Sequence, residues 1–235
     1  MPCIFFFMYP LIDIHTHRME FEPGTVSVFN LLMEEQLQPG PSLSGARLFS
    51  AGLHPWRLNP GIMDFRLKEL AALAAQNRCI AIGESGLDKS CKTPFELQLQ
   101  AFESHVSLSE EFHKPLIIHC VRADAELLSV KKNLRPAQKW VIHSFQGSEE
   151  KAREFLRHGF LLSMGAALLK TNSKIRKTLP SIPLGRIFFE TDESRESLRE
   201  IYEEAASLLS IKIDELAKTV YGNFVKTFGE QNVPD

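Results

Sequence analysis

The chain has 235 residues, of which 44% are hydrophobic and 24% are charged. This composition excludes an intrinsically disordered protein, and the length suits one large α/β domain or two small ones. Lys and Arg number 27 against 29 Asp and Glu, a net charge of -2, so a polyanion would have to be held by a local basic patch.

The start of the chain, MPCIFFFMYPLIDIHTH, is apolar but has no basic region, no small-residue cleavage site and no membrane-length apolar run. We therefore predict neither a signal peptide nor a membrane span. Residues 1–7 are either a dispensable extension, with Met8 as an alternative initiator, or a longer first strand. The cysteines form no C-x-x-C pair, which favours free thiols and a cytoplasmic protein. They are Cys3, Cys79, Cys91 and Cys120.

Short apolar runs recur along the chain and are followed, from its middle on, by helical patterns. This alternation is typical of parallel strands joined by crossover helices. The eight predicted strands are Leu11–Ile14, Val26–Asn30, Arg47–Gly52, Cys79–Gly83, Pro115–His119, Trp140–His143, Phe160–Ser163 and Arg186–Glu190.

Capping signals and periodicity predict the helices. The clearest begins at TPFE, where Thr93 caps, Pro94 fits the first turn and Glu96 completes a capping box. Its predicted buried face consists of Phe95, Leu99, Phe102 and Val106. The other predicted helices are Asp64–Gln76, Ala123–Lys132, Glu149–Arg157, Ser197–Leu209 and Asp214–Phe228, the last interrupted near Gly222 and closed by Gly229.

The first connections are too short for full helices. Only Arg18 to Thr25 joins the first two strands, and the stretch MEEQLQPGPSLSG after the second is rich in Pro and Gly. We therefore predict an α/β fold, a (β/α)8 TIM-type barrel with shortened first two crossover connections. No repeat or linker divides the chain, so residues 1–235 are expected to form one domain.

Ligand-type residues follow several of the predicted strands. His15 and His17, two apart on an extended segment after the first strand, can point the same way and hold a divalent metal, although H-x-H alone is also compatible with a structural role. Four more stand at the ends of later strands, where barrel enzymes carry their active sites. They are Glu84, His119, His143 and Asp192. Their convergence predicts a metal site.

These motifs resemble the TatD-like deoxyribonucleases of the metal-dependent amidohydrolase barrel superfamily. The resemblance spans nearly the whole chain through DIHTH, GLHPW, GESGLD, FELQLQAF, KPLIIHC, IHSFQG, FFETD and NFVKTF, in the family's order.

The resemblance implies two divalent metal ions. His15 and His17 would bind one together with Asp192, and His119 and His143 would hold the second. Glu84 would bridge the two. Asp192 would accept the proton of the attacking water, so Asp192 and Glu84 are the predicted catalytic residues. Mg or Mn is expected in use, and Zn is possible.

Substrate contacts are predicted at three residues. His54 resembles a family position that contacts the substrate phosphate, although packing under Pro55 and Trp56 would also explain it. Trp56 could stack on a base or simply pack. Arg122 stands one residue beyond the family's usual arginine, and Val121 occupies that place. Whether Arg122 replaces the missing contact is open.

Two further departures from the family pattern lie near the mouth. Ser194 stands where relatives have Pro, and Arg18 to Glu20 replace the usual Leu-Asp.

Other charged or reactive groups are weaker candidates. The segment after strand seven could attract a nucleic-acid backbone or simply be solvated; its basic residues are Lys170, Lys174, Arg176 and Lys177. A second basic set is expected at the opposite end of the barrel, namely Lys131, Lys132, Arg135 and Lys139.

Cys120 is expected to point into the barrel wall. The remaining histidines are predicted to be structural: His105, His113 and His158.

The sequence thus predicts a two-metal phosphodiesterase that acts on DNA, of the 3'-exonuclease type, with no protein partner inferable. The alternatives are a metal-dependent hydrolase of another ester, amide or small phosphodiester, and an inactive relative that binds metal or nucleic acid.

Overall fold

The sheet consists of eight parallel strands, and each strand pairs with its neighbour in chain order. The structure is a computed structural model that describes residues 8–18, 22–33 and 48–232. Thr16 also bridges to Asp192 beyond the last strand, so the sheet nearly closes into a barrel. The strands are β1 Leu11–Thr16, β2 Thr25–Leu32, β3 Leu48–Gly52, β4 Cys79–Asp88, β5 Leu116–Val121, β6 Trp140–Ile142, β7 Leu161–Met164 and β8 Ile187–Phe189.

All eight predicted strands are present, and β4 differs most from its prediction. It was expected to end at Gly83 but continues to Asp88, because the whole GESGLD segment is buried and its last four residues pair with β5. Gly83 has a φ of 132°, and a Cβ there would collide with the Ile117 carbonyl on β5. Glycine therefore allows the close approach that brings Glu84 to the mouth of the barrel.

Seven helices cover the described part of the barrel, and the six predicted ones are confirmed with small shifts at their ends. They are α1 Met63–Ala74, α2 Phe95–Glu111, α3 Asp124–Leu134, α4 Glu149–Arg157, α5 Lys174–Thr178, α6 Leu198–Leu209 and α7 Ile213–Phe228. The short helix α5 was not predicted. Packing of α2 on β4 and of α7 on β1 covers two strands that carry site residues.

Two details of the helix predictions are wrong. Thr93 does not cap α2: the N-cap is Pro94, which offers no side-chain bond, and the Thr93 carbonyl instead accepts from Gln98 Nε2 at 2.9 Å. The helix α7 runs unbroken through Gly222, since its apolar face is anchored on both sides of that residue by Val220 and Phe224, which are fully buried.

The first crossover is short, as predicted, because only residues 17–24 separate β1 from β2. Most of the second connection and the proposed extension over residues 1–7 lie outside the described residues. In the described part of the chain, no helix has the length and apolar character needed to cross a membrane.

Candidate metal centre

The six predicted metal-binding side chains converge at the mouth of the barrel. His15 lies on β1, Glu84 on β4 and His119 on β5. The other three lie outside the strands: His17 directly follows β1, His143 directly follows β6, and Asp192 lies three residues beyond the end of β8. Convergence follows from the parallel topology, which brings the carboxyl ends of all the strands to one rim.

Glu84 is the hub of the cluster. Its Oε1 lies 2.8 Å from His143 Nε2, 3.0 Å from His119 Nδ1 and 3.1 Å from His54 Nε2. Its Oε2 accepts from Asn30 Nδ2 at 3.1 Å. One carboxylate oxygen thus meets three imidazoles.

The β1 side of the cluster is more open. Oδ1 of Asp192 lies 3.6 Å from both His15 Nε2 and His17 Nε2, and His15 Nε2 lies 3.5 Å from Glu84 Oε2. Glu84 therefore stands between two groups of donors, one on each of its oxygens. This is the arrangement expected of a carboxylate that bridges two cations.

The chemistry of these donors fits divalent cations. His15 is fully buried, yet neither of its ring nitrogens has a hydrogen-bond partner among the described residues. Two donors that share a cation through bonds of about 2.0 to 2.2 Å lie about 3 to 3.6 Å apart, the range seen here. Four sets of donor atoms lie within 4.8 Å of one another: His15, His17 and Asp192; His15, Glu84 and His143; His54, Glu84 and His119; and His143, Glu190 and Asp192.

The buried charges of this cluster shift the pKa values of its members. Burial opposes ionisation of Glu84, but His143 and His119 lower the pKa of its carboxyl well below the usual value. Burial likewise opposes the charge on His143, yet Glu84 raises the pKa of His143 well above normal. Burial and His143 favour a neutral His15, but contacts with Asp192 and Glu84 raise the pKa of His15 to about 9. Imidazole ligands must be neutral, so metal uptake would release protons.

His54 lies deeper in the site than predicted. It is predicted to contact a substrate phosphate, and it does line the cleft, but its Nε2 faces Glu84 and only 7% of the residue is exposed. Its Nδ1 accepts from the Trp56 backbone N–H at 3.2 Å, and burial lowers the pKa of His54. His54 can therefore serve as a further metal donor, a role that the sequence analysis missed.

Trp56 borders the cleft with 58% of its surface exposed. Its indole Nε1 donates to Asp88 Oδ2 at 2.6 Å, which fixes the ring at the rim. An exposed, oriented indole offers a stacking face toward whatever enters the cleft.

Two buried carboxylates contact the candidate ligand histidines His119 and His143 and were not predicted. Asp88 Oδ2 lies 3.2 Å from His119 Nε2, and Glu190 Oε1 lies 3.3 Å from His143 Nδ1. Such partners fix the orientation of a ligand imidazole and raise its basicity. A signal was available, since Glu190 ends the apolar run IFFE and a carboxylate buried there requires a partner.

The open cleft above the cluster has a volume of about 250 Å³. Val121 and Cys120 line it, whereas Arg122 is not among the lining residues and is exposed, with a φ of 53°. The structure therefore does not bring Arg122 into the cleft. Cys120 was expected to point into the barrel wall. Its Sγ does lie toward Asp124 Oδ1, at 3.7 Å. The residue still borders the cleft because it lies one residue before the end of β5.

The basic segment after β7 is also outside the cleft lining. Arg176 pairs with Glu204 at 2.6 Å and donates to the Leu168 carbonyl at 2.6 Å, while Lys174 and Lys177 are exposed. In the second basic set, Lys131 lies over the Trp140 ring at 4.3 Å, at the start of β6 and thus at the opposite end of the barrel, as predicted.

Comparisons with known proteins agree with this geometry. The family model "TatD related DNase" matches residues 42–229. The chain is 28% identical over 197 residues to the uncharacterized metal-dependent hydrolase YcfH of Escherichia coli K12, covering 77% of this chain and 73% of that protein. It is 34% identical over 148 residues to the 3'-5' ssDNA/RNA exonuclease TatD of Cronobacter sakazakii, covering 61% and 56%. The solved structure of YJJV, a TatD homolog of Escherichia coli K12, superposes with a TM-score of 0.77 at 22% identity, covering 95% and 98%.

Proposed function

The chain belongs to the TatD family of metal-dependent hydrolases, and from this premise we propose that it hydrolyses phosphodiester bonds of DNA from the 3' end. The observation that carries the proposal is the position of Glu84 between two groups of imidazole and carboxylate donors. The Cronobacter relative, named as a 3'-5' ssDNA/RNA exonuclease, supports the substrate class and the polarity.

Two divalent cations are the proposed cofactors, with Mg or Mn in use and Zn possible. His15, His17 and Asp192 would hold one, and His119 and His143 the other, with Glu84 between them. Such a pair would polarise the phosphodiester and supply hydroxide near neutral pH. His54 would add a donor to the second group.

Asp192 is the proposed proton acceptor. Burial works against its ionisation, but His15 and His143 lower the pKa of Asp192, so it is a carboxylate at neutral pH. A third of its side chain is exposed toward the cleft that would hold the attacking water. A positioned base of this kind typically contributes about 10² to 10⁴ in rate.

The rim of the cleft would bind the single-stranded DNA. Trp56 offers a base-stacking face beside the cleft. The described cysteines Cys79, Cys91 and Cys120 are free thiols, which supports a reducing compartment such as the cytoplasm.

The test uses metal-free protein reloaded with Mg²⁺, Mn²⁺ or Zn²⁺ and single-stranded DNA labelled at its 5' end. We expect products shortened stepwise from the 3' end, and Asp192→Asn should lower the rate at least about 100-fold. Glu203→Gln, which changes an exposed carboxylate on α6, is the matched control.

Other substrates in the same assay separate the alternatives. Turnover of a small diester or ester without cleavage of DNA or RNA would identify a hydrolase of another substrate class. Binding of metal and DNA without any turnover would instead identify a binding protein. Either result would contradict the proposed deoxyribonuclease.

A further inference from the structure

The segment that carries Asp192 lies beyond the end of the sheet. β8 ends at Phe189, and Asp192 has a φ of 51°, a left-handed conformation that is uncommon outside glycine but that Asp tolerates better than most residues. Two backbone bonds link it to β1: Asp192 N–H donates to the His15 carbonyl at 2.9 Å, and His17 N–H donates to the Asp192 carbonyl at 3.3 Å.

Asp13 on β1 also holds Thr191 through its backbone N–H and its hydroxyl, and Arg18 adds an attachment further along the segment. Its Nε donates to the Ser194 carbonyl at 3.0 Å, and its Nη2 donates to the Glu196 carbonyl at 2.7 Å and also to the Ser194 carbonyl. Nη1 lies 3.6 Å from Glu22 Oε1. One planar guanidinium thus joins two carbonyls of the segment after Asp192 to the residues just after β1.

The segment that receives this guanidinium is a closed turn. Ser194 N–H donates to the Thr191 carbonyl at 2.9 Å, and Ser194 Oγ donates to Glu196 Oε2 at 2.7 Å. These bonds present the two carbonyls to Arg18. Thr191 and Thr16 are themselves joined through their hydroxyl oxygens at 2.7 Å, so the turn and the end of β1 form one unit.

Arg18 is not suited to bind substrate directly. It is not among the residues that line the cleft, and its donors face the two carbonyls and Glu22. A lysine would keep the charge but could not reproduce the planar fork. The contacts therefore indicate a role in holding backbone.

We propose that Arg18 is a positioning residue that fixes residues 192–196 against the end of β1. It thereby sets the spacing of the Asp192 carboxylate from His15 and His17. The inference rests on the metal-binding part of the proposed function and does not depend on which ester is cleaved.

The first test is Mn²⁺ titration of the metal-free full chain by calorimetry, with His17→Ala and His119→Ala used to assign the two binding steps. Arg18→Leu should weaken the step lost in His17→Ala by about 10- to 100-fold, the usual effect of removing a group that orients a metal ligand. The step lost in His119→Ala should keep its affinity. Arg18→Lys should behave like Arg18→Leu, and ethylguanidinium in the buffer should partly restore Arg18→Ala.

The second test needs no metal. Hydrogen exchange in the metal-free protein, followed by mass spectrometry, should accelerate in peptides that cover residues 190–197 of Arg18→Leu. The peptide around His17 should accelerate as well, because the His17 N–H bonds the Asp192 carbonyl, and peptides that contain neither segment should be unchanged. Arg153→Leu, which removes an exposed arginine paired with Glu149 on α4, is the control and should alter neither measurement.

The two tests separate failure of this inference from failure of the proposed function. A wild-type chain that binds no Mn²⁺ would refute the metal centre, and the exchange experiment would still decide the role of Arg18. Unchanged exchange over residues 190–197, or equal weakening of both Mn²⁺ steps, would overturn the positioning role.

Discussion

Replacing His105 should remove a defined part of the acid sensitivity of this protein. His105 lies on α2 and is fully buried. Its Nδ1 lies 2.6 Å from the Ala101 carbonyl, and its Nε2 accepts from the Leu53 N–H at 2.9 Å. Only the neutral ring with hydrogen on Nδ1 satisfies both bonds, since a proton on Nε2 would face the Leu53 N–H. Burial lowers the pKa of His105 to about 4.

The direction and size of the effect on stability follow from the linkage between proton binding and folding. The pKa of His105 is 6.5 in the unfolded chain and about 4 in the folded chain. Between about pH 6.5 and about pH 4 the unfolded chain therefore binds a proton at His105 that the folded chain does not bind. The free energy of unfolding consequently falls as the pH falls through this range. With these two pKa values the loss is about 2 kcal/mol between about pH 7 and about pH 5, and about 3 kcal/mol near pH 4.

The assay is urea unfolding of the metal-free protein at pH 7, 6 and 5 at constant ionic strength. We compare the wild type with His105→Gln, whose amide can still accept from Leu53 N–H but does not titrate. The variant should lose about 2 kcal/mol less than the wild type over this range. His158→Gln, at the exposed C-cap of α4, is the control. Equal pH dependence in the wild type and His105→Gln would refute the reasoning.

Two further predictions concern the cleft and its metals. Trp56→Ala should raise the KM for single-stranded DNA by about 5- to 150-fold, from about 1 to 3 kcal/mol of lost stacking, whereas Trp56→Phe should keep a KM close to that of the wild type. The KM of Trp56→Ala for a small diester should change little, and an equal effect on that substrate in steady-state assays would exclude stacking. Metal binding at pH 7 should release protons, because the raised pKa of His15 favours its protonated form in the metal-free protein. The metal affinity should therefore rise as the pH is raised toward about 9. Calorimetry in buffers of different ionisation enthalpy measures that release, and pH-independent affinity would contradict it.

The convergence of the six candidate metal-binding side chains could be predicted from the sequence because it depends on which residues stand at or just beyond the strand ends. An apolar run followed by His, Glu or Asp places that residue at the rim of a parallel barrel whatever its partners are. The prediction for His54 was incomplete for the opposite reason. Whether its ring faces Glu84 or a substrate depends on how the side chains after β3 and on β4 are directed. The spacing of residues along the chain does not predict that direction.

Two local helix signals were overridden by contacts that the sequence motifs do not reveal. TPFE has the composition of a capping box, but Gln98 uses its amide to bond the carbonyls of Thr93 and Asp88, at 2.9 and 3.0 Å. The Thr93 carbonyl is thereby held, and the helix begins two residues later, at Phe95. Gly222 has helix-breaking character, but the apolar face of α7 packs on both sides of it and outweighs a cost of about 1 kcal/mol.

The polar residues on the buried face of α2 explain how the helix supports the site. Its sequence predicts an apolar face, yet Gln98 and His105 are also buried there. Gln98 Oε1 accepts from the Asp88 N–H at 2.7 Å, at the end of the strand that carries Glu84. His105 accepts from the backbone of Leu53, next to His54. Apolar side chains in their place would pack but would leave these amides unpaired, so the helix holds the strand ends by their backbones.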